Sequence, residues 1–266
     1  MKIAPDSRVL ITGGASGLGL ALVLQLVERG ARVLATDVHE EIPETLRGLE
    51  GVSYLTLNVT RDVDWAKARD WVTETWGGLD YLFNNAGVAA GGRIELSEMD
   101  QWHWIVDINL LGVARGCRTF TPLMKEQGSG HIINTASAAG LIHPPRMTEY
   151  VAVKAGVVAI SESLFHELKP YGVKVSVICP TFFKTNLTES LRGKDEQANK
   201  SAAKLIDKAK LSADTIAARV IRGIEKDRHI ILTDRDGKVA YAAKRFARPL
   251  YYSMMKKASF QMAKKD

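Results

Sequence analysis

The amino-acid sequence predicts an α/β fold, in which one doubly wound parallel sheet of about seven strands carries helices on both faces. Two observations lead to this prediction. Short apolar runs alternate along the chain with longer helical patterns, and a glycine-rich turn joins the first strand to the first helix. The chain has 266 residues, which suits one large domain with a substantial core.

The predicted elements follow one another without internal repeats or low-complexity runs. Strands are expected at residues 8–12, 31–36, 53–57, 79–83, 130–136, 173–178 and 229–233. Helices are expected at residues 17–29, 62–76, 98–126, 148–169 and 212–226. Gly30 is placed to end the first helix, while Ser97 and Ser212 are placed to cap later ones. In such a sheet, ligands bind at the carboxyl ends of the strands.

The first strand runs into a glycine-rich turn that contains Gly13, Gly17 and Gly19. Glycines let the backbone turn sharply and let a pyrophosphate approach the positive end of the following helix. The next strand ends in Asp37, 18 residues after Gly19, where a carboxylate can accept the ribose hydroxyls of a dinucleotide. Strand, turn, helix, strand and acid together predict a Rossmann-like dinucleotide site.

Asp37 also bears on the choice of cofactor. A carboxylate at this place repels the 2′-phosphate of NADP. No Lys or Arg lies between Gly13 and Gly19 or directly after Asp37 to bind that phosphate. The cofactor is therefore expected to be NAD(H) rather than NADP(H).

Three polar residues, Ser137, Tyr150 and Lys154, stand at a spacing that suits proton transfer. Tyr150 and Lys154 are four residues apart in a helical segment, so their side chains share one helix face. A nearby ammonium favours the phenolate and is expected to lower the pKa of Tyr150. Ser137 follows an apolar strand, so its hydroxyl would lie at the carboxyl end of the sheet and hold a carbonyl or alcohol oxygen.

A second tyrosine–lysine pair at the same spacing, Tyr252 and Lys256, serves as an internal control. Val239 stands thirteen residues before Tyr252, whereas Ser137 stands thirteen residues before Tyr150. The second pair also lies beyond the last predicted strand. It is interpreted as a solvated helix pair.

The motifs occur in a fixed order: Thr12-Gly13-x-x-x-Gly17-x-Gly19, Asn84-Asn85-Ala86-Gly87, Asn109, Ser137, Tyr150 and Lys154. This set resembles the short-chain dehydrogenase/reductase family, over roughly residues 7–235. The resemblance implies an oxidoreductase that transfers a hydride between NAD(H) and a secondary alcohol or ketone. The catalytic residues that it implies are Asn109, Ser137, Tyr150 and Lys154.

The resemblance also implies individual roles. Lys154 would bind the nicotinamide ribose and tune Tyr150, and Asn109 would hold a water in a proton relay. Asn58 stands where the family usually has Asp, and its carbonyl oxygen would still contact the adenine. Thr185 aligns with the threonine that holds the carboxamide. The implied cofactor-binding residues are Gly13, Ser16, Gly17, Leu18, Gly19, Asp37, Asn58, Val59, Asn85, Ala86, Gly87, Tyr150, Lys154, Pro180 and Thr185.

The segment 181–210 is long for a connection inside a compact domain. The resemblance suggests a substrate lid, with a floppy surface loop as the alternative for residues 192–202. The apolar loop after Ser137 is expected to form another wall, which favours an apolar substrate. Arg93 and Arg146 could receive a carboxylate or could be solvated. The candidate substrate contacts are Ala138, His143, Phe182 and Phe183.

Residues 1–237 are expected to form the catalytic domain and residues 238–266 a basic tail. The tail carries eight Lys or Arg and one acid, whereas the rest of the chain carries 28 basic and 29 acidic residues. Its apolar stripe is expected to be ordered, near the substrate entrance or a subunit contact, and Pro249 should kink or restart the helix. Packing on protein and contact with an anionic membrane both stay open. The stripe consists of Phe246, Leu250, Met254 and Ala258.

Other features narrow the setting. No run of 18 apolar residues predicts a spanning helix, and the first residues lack the apolar region of a signal peptide. Cys117 and Cys179 are expected to be buried thiols, so a cytoplasmic location is predicted, with membrane association through the tail as the alternative. The six histidines show no metal-ligand spacing, and no metal is expected. Basic residues confined to the tail, with no reading motif, argue against nucleic acid.

Two classes of function follow. One is the oxidoreductase, with a small-molecule alcohol or ketone as substrate and a homodimer or homotetramer as assembly. The other is a non-catalytic dinucleotide-binding scaffold or sensor with the tail as its interaction element. The intact set of four catalytic residues favours the enzyme, because a scaffold need not keep all of them.

Overall fold

A computed structural model describes residues 3–185, 187 and 190–263. In these residues seven parallel strands form one sheet in the order β3-β2-β1-β4-β5-β6-β7. This architecture confirms the predicted fold class. The strands are β1 Arg8–Thr12, β2 Arg32–Asp37, β3 Val52–Thr56, β4 Tyr81–Asn84, β5 Gly130–Thr135, β6 Val173–Cys179 and β7 Ile230–Leu232.

Helices cover both faces of the sheet. Alternate residues of a strand point to opposite faces, so Leu10 of β1 joins one core cluster while Val9 and Ile11 join the other. Three helices (α2, α4 and α6) pack on the first face and two (α1 and α8) on the second. The helices are α1 Gly17–Val27, α2 Asp62–Trp76, α3 Met99–Val106, α4 Gly112–Gln127, α5 Ala139–Ile142, α6 Thr148–Leu168, α7 Glu196–Asp207, α8 Ala213–Glu225, α9 Arg235–Phe246 and α10 Arg248–Ala263.

The strand order places the candidate site. The chain leaves β1 toward β2 and β3 on one side and returns to β4 on the other. A crevice therefore opens at the carboxyl ends of β1 and β4, where the order reverses. The glycine-rich turn follows β1 at this point, and Asn85 follows β4.

Several predicted boundaries need correction. The single helix expected at 98–126 is α3 and α4 joined by a π-helical turn, Asp107–Leu111, because one extra residue is accommodated within the helix. Ser97 does not cap α3, whose N-cap is Glu98, whereas Ser212 caps α8 by accepting a hydrogen bond from Thr215 N. The loop predicted around 181–210 contains α7, and the loop after Ser137 contains α5.

The described part of the tail, residues 238–263, lies in α9 and α10, and α10 starts at Arg248 with Pro249 in its first turn. The buried residue of α10 is Tyr251, whose hydroxyl donates to the Ile142 carbonyl oxygen. The prediction that the stripe covers apolar surface is wrong for packing within the chain. Phe246 is 82% exposed, and Leu250 and Met254 are exposed as well. The reason is that the Tyr251 side of α10 faces the domain, which turns the stripe outward.

In the described part of the chain, none of the helices is long and apolar enough to cross a bilayer. Cys117 and Cys179 are free and buried, as predicted. Burial raises the pKa of each thiol to about 12, so both are unreactive at neutral pH.

Candidate active site

A cleft of about 910 Å³ opens at the carboxyl ends of the strands. It extends from the end of β2 to the start of α6. Most of the residues expected to bind a cofactor line it, and the exception is Gly19. The lining includes Gly13, Ser16, Gly17, Leu18, Asp37, Asn58, Val59, Asn85, Ala86, Gly87, Tyr150, Lys154, Pro180 and Thr185.

The glycine-rich turn has the shape that a pyrophosphate requires. Gly13 and Gly17 have φ of 64° and 53°, a conformation that favours glycine. A Cβ at Gly19 would lie 1.9 Å from the Gly13 carbonyl oxygen, so Gly19 acts beneath the turn rather than at its surface. Ser16 is the N-cap of α1, and its hydroxyl makes no capping bond there. The turn thus leaves the helix N-terminus open to an anion.

A hydrogen-bonded strap fixes the opposite wall. Thr12 Oγ1 accepts from the backbone N of Asn85 at 2.9 Å and of Ala86 at 3.0 Å. Asn85 Nδ2 donates back to the Thr12 carbonyl oxygen at 3.0 Å. These bonds hold the residues after β4 against the end of β1, so Asn85 shapes the cleft mainly by anchoring its backbone.

Asp37 ends β2 with its carboxylate at the cleft. Oδ1 accepts from Val38 N at 2.8 Å, and Oδ2 accepts from Ala15 N at 3.1 Å. Each carboxylate oxygen has a second lone pair, so the group can still accept from ribose hydroxyls. The pKa of the nearby Tyr54 is raised to about 12, first by burial and then by the negative charge of Asp37.

Asn58 departs from its expected role. Its Oδ1 accepts from Thr60 N at 3.0 Å and from Thr60 Oγ1 at 2.8 Å. An oxygen that already accepts two hydrogen bonds is a poor partner for a base, so the expected adenine contact through it is not supported. Val59 lines the cleft beside it.

Lys154 and Tyr150 come together from α6, as the spacing predicted. Lys154 is 4% exposed, its Nζ donates to the Thr135 carbonyl oxygen at 2.9 Å, and Nζ lies 5.8 Å from the centroid of the Tyr150 ring. Burial lowers the pKa of Lys154 to about 8. Its ammonium is therefore present at neutral pH and is lost at moderately alkaline pH.

The expected direction for Tyr150 is wrong in this structure. Burial raises the pKa of the phenol, and a hydrogen bond with Ser137 acts against that rise. A neutral phenol costs less to bury than a phenolate, and the lysine is not close enough to reverse this. Tyr150 is thus held in its protonated form.

Ser137 lies just beyond β5 beside the phenol. Its Oγ accepts from Ala139 N at 3.1 Å and donates to the Pro180 carbonyl oxygen at 3.4 Å. The first bond fixes the start of α5, and the second links β5 to the residue after β6. Both are compatible with a hydroxyl that turns toward a substrate oxygen.

Asn109 is buried in the π-helical turn and braces the wall next to Lys154. Its amide donates to the Val88 carbonyl oxygen and accepts from Val88 N, both at 2.8 Å. A Cβ at Gly87 would lie 3.0 Å from Asn109 Oδ1 and 3.5 Å from Lys154 Nζ, so glycine allows this close approach. Both polar atoms of the side chain bond to the backbone of Val88, so Asn109 anchors residues 87–88.

The four predicted substrate contacts do not all reach the cleft. Phe183 lines it, whereas Phe182 is exposed outside it. Ala138 is buried, and His143 turns away, because its Nδ1 lies 2.6 Å from the ammonium of Lys244 in α9. The loop after Ser137 is therefore partly covered by the tail.

Sequence reasoning missed the far wall of the cleft. His103, Trp104 and Ile108 line it from α3 and the π-helical turn, and Arg192 lines it from the lid. The Arg192 guanidinium lies 4.4 Å from the centroid of a Trp104 ring, a cation–π contact that joins the chain at Arg192 to α3. Two tryptophans in one predicted helix, Trp102 and Trp104, indicated a functional or buried helix face. Which face lines the cleft could not be assigned without knowing of the π-helical turn.

An ion pair between the half-buried Arg93 and the buried Asp195 holds the start of α7. Asp195, the N-cap of α7, accepts from Ala198 N at 3.0 Å and from Arg93 N and Nε at 3.0 and 3.1 Å. Burial alone would raise the pKa of Asp195, but the backbone hydrogen bonds from Ala198 and Arg93, and then the Arg93 guanidinium, lower it overall. Arg93 is thus a structural partner rather than a free carboxylate receptor.

Breaking this pair should loosen the lid. Asp195→Ala removes the cap and the charge partner, so KM for the organic substrate is expected to rise about tenfold or more while KM for the cofactor changes little. Steady-state kinetics would measure both. Glu44→Ala, which breaks the exposed Glu44–Arg47 pair, is the control. A parallel rise in both KM values would show that Asp195 supports the whole cleft and not the lid.

Comparison with known proteins identifies proteins of similar sequence and fold. The family profile described as short chain dehydrogenase matches residues 7–196. The 3-alpha-(or 20-beta)-hydroxysteroid dehydrogenase of Mycobacterium bovis is 36% identical over 182 residues, 68% of this chain and 70% of the relative. The 3-oxoacyl-(acyl-carrier-protein) reductase of Thermotoga maritima is 31% identical over 229 residues, 84% of this chain and 92% of the relative. A crystal structure from Burkholderia phymatum, a short chain dehydrogenase/reductase in complex with NAD, has a TM-score of 0.88 at 31% identity, covering 94% of this chain and 96% of that one.

Proposed function

Because this chain belongs to the short-chain dehydrogenase/reductase family, and is an oxidoreductase acting on alcohol or ketone groups, we propose that it uses NAD(H) and takes a secondary alcohol or ketone with apolar substituents. The observation that carries the proposal is the arrangement of the cleft. Tyr150, Lys154 and Ser137 meet at one end, and the Asp37 carboxylate lies at the other, beyond the glycine-rich turn. A nicotinamide dinucleotide fits this arrangement, with its pyrophosphate over Gly13–Gly17.

The chemistry at the substrate oxygen follows from the side chains. The bound nicotinamide would donate the hydride in reduction and accept it in oxidation. The Ser137 hydroxyl holds the substrate oxygen by a hydrogen bond. Tyr150 gives its proton to that oxygen as the carbonyl becomes an alcohol, and it takes the proton back in the opposite direction. Lys154 stabilises the phenolate that remains, because its ammonium lies on the same helix face.

The remaining catalytic residue, Asn109, keeps this geometry. Its two bonds to Val88 fix the backbone at Gly87, which packs against Asn109 and Lys154. We assign Asn109 a positioning role in the proton relay, with the relay passing through Lys154.

An apolar substrate is supported by the apolar part of the cleft wall. This part consists of Phe183, Leu187, Trp104 and Ile108. The mycobacterial relative is named for hydroxysteroids, which are bulky apolar alcohols, and this name agrees with the character of the wall. The lid and α3 would then exclude water from the reacting carbon.

Turnover of a panel of secondary alcohols and ketones, with NAD(H) and NADP(H) in parallel, tests this function. Nicotinamide absorbance should change with NAD(H) and with apolar members of the panel, and kcat/KM should rise with their apolar area. Binding of NAD(H) without turnover of any member would instead favour a non-catalytic sensor. Sedimentation of the same preparation tests the homodimer or homotetramer that is common in this family.

The pH dependence of ketone reduction should show the loss of the proton from the Lys154 ammonium. Its pKa of about 8 means that the ammonium fraction falls as pH rises through that value. Since the ammonium and the protonated Tyr150 are both needed, kcat/KM for reduction should be level at neutral pH and fall about tenfold per pH unit well above 8. Lys154→Met should lower the rate and remove this descent, and the exposed Lys67→Met is the control. An unchanged descent in Lys154→Met would assign it to another group.

A further inference from the structure

A second cleft lies between α8, β7 and the start of α9, and it shares no lining residue with the active-site cleft. Its volume is about 380 Å³. Six of its eleven lining residues are basic. They are Arg219, Arg222, Lys226, Arg228, Arg235 and Lys238.

These six charges are not neutralised within the described part of the chain. None of them forms an ion pair there. The acids beside them in sequence are used elsewhere: Glu225 pairs with Arg29 at 3.1 Å, and Asp227 pairs with Lys174 at 2.6 Å. Within the described residues, the one carboxylate that lines the cleft is Asp234, and it caps α9 through Gly237 N at 2.7 Å. Six basic side chains and one carboxylate give the cleft a net charge of +5.

The arrangement suits a phosphate group. Arginine binds phosphate oxygens through paired N–H donors, and a concave wall concentrates the positive field. Arg219 is already fixed, since its Nη1 donates to the Thr233 carbonyl oxygen at 2.7 Å. The N-terminus of α9 lies beside these arginines but is capped by the Asp234 carboxylate, so the positive potential of the cleft comes from its side chains.

The cleft continues into an exposed apolar face. On α9, Arg235, Val239 and Phe246 lie along one side at helical spacing, and Val239 is 60% exposed. Leu250 and Met254 of α10 are exposed as well. Two copies of such a surface would repel each other across a two-fold axis, because each cleft carries a net charge of +5. An anionic lipid surface instead supplies opposite charge to the cleft and an apolar layer to the side chains.

We propose that the cleft between α8, β7 and α9 binds the phosphate of an anionic phospholipid, while Val239 and Phe246 enter the interface of the bilayer. This peripheral membrane site lies outside the oxidoreductase machinery and does not depend on the substrate. It would hold the enzyme at a surface where apolar alcohols and ketones partition. The alternative without a ligand is that the charges only protect the exposed edge of β7 from pairing with other strands.

Vesicle co-sedimentation tests the site with the full chain. Wild type should bind vesicles of phosphatidylcholine with about one third phosphatidylglycerol, and should bind pure phosphatidylcholine weakly. Arg222→Glu/Lys226→Glu should lower the partition coefficient by about tenfold or more, since each removed cation is worth about fivefold. Lys67→Glu/Lys169→Glu makes the same change in net charge on exposed residues away from the cleft and should cost about threefold or less.

Two further arms separate the sources of phosphate. Phe246→Ser should weaken vesicle binding but leave binding of soluble glycerol 3-phosphate unchanged. Binding of glycerol 3-phosphate without binding of vesicles would overturn the assignment of a lipid as the ligand. Equal losses of vesicle binding in the two double variants would overturn the assignment of the cleft as the binding site. Oxidoreductase turnover of soluble substrates should be unchanged in both double variants, so failure of this proposal is distinguishable from failure of the proposed function.

Discussion

Tyr150→Phe is expected to lower kcat by about 10²–10⁴-fold while the affinity for NAD(H) stays near that of wild type. In the proposed mechanism the phenol is the proton donor. It is hydrogen-bonded to Ser137, and burial holds it in the protonated form. Phenylalanine keeps the ring and its packing but has no proton to transfer. The measurements are steady-state kcat with the best ketone of the panel and NADH affinity by fluorescence.

The chain carries its own matched control. Tyr252 also precedes a lysine by four residues, but it is 57% exposed on α10. Tyr252→Phe removes the same hydroxyl from the same sequence pattern and should leave kcat unchanged. Near-wild-type turnover in Tyr150→Phe, or comparable losses in both variants, would refute the assignment of Tyr150.

Features that depend on local pattern could be predicted from the sequence. Buried parallel strands are short apolar runs, so β1 and β5 stand out between polar and glycine-rich segments. The glycine-rich turn and the Tyr150–Lys154 pair each depend on residues close together in sequence. Their convergence at one cleft follows from parallel strands having their carboxyl ends at one edge.

Features that depend on one extra residue or on tertiary packing could not be predicted. The π-helical turn differs from an α-helix by a single inserted residue, and it is this turn that brings Asn109 to Val88. The direction of the Tyr150 pKa depends on how deeply the phenol is buried compared with its distance from Lys154. The outward stripe of α10 depends on which side Tyr251 anchors, and a run rich in Met and Tyr has apolar residues on several sides.

Asp37 is expected to set the cofactor preference, with kcat/KM for NAD(H) exceeding that for NADP(H) by about 100-fold. At 4 Å and the effective dielectric constant near a protein surface, two like unit charges repel by about 4 kcal/mol, and screening by solvent lowers this value. Lys154 and Arg192 are the Lys and Arg side chains among the described residues that line the cleft. Lys154 lies at the catalytic end and Arg192 in the lid, so neither is placed beside Asp37 to bind a 2′-phosphate.

Two substitutions separate the charge of Asp37 from its hydrogen bonds. Asp37→Asn keeps an oxygen that can accept from Ala15 N but removes the charge, so the NAD/NADP ratio of kcat/KM should fall about tenfold with the cleft intact. Asp37→Ala also loses the bonds to the glycine-rich turn and should raise KM for both cofactors while narrowing the ratio further. Asp70→Ala, at an exposed acid on α2, should leave the ratio unchanged. Equal or better use of NADP(H) by the unmodified chain would be inconsistent with repulsion by Asp37, and a ratio unaffected in Asp37→Asn would show that the preference arises from shape and not from charge.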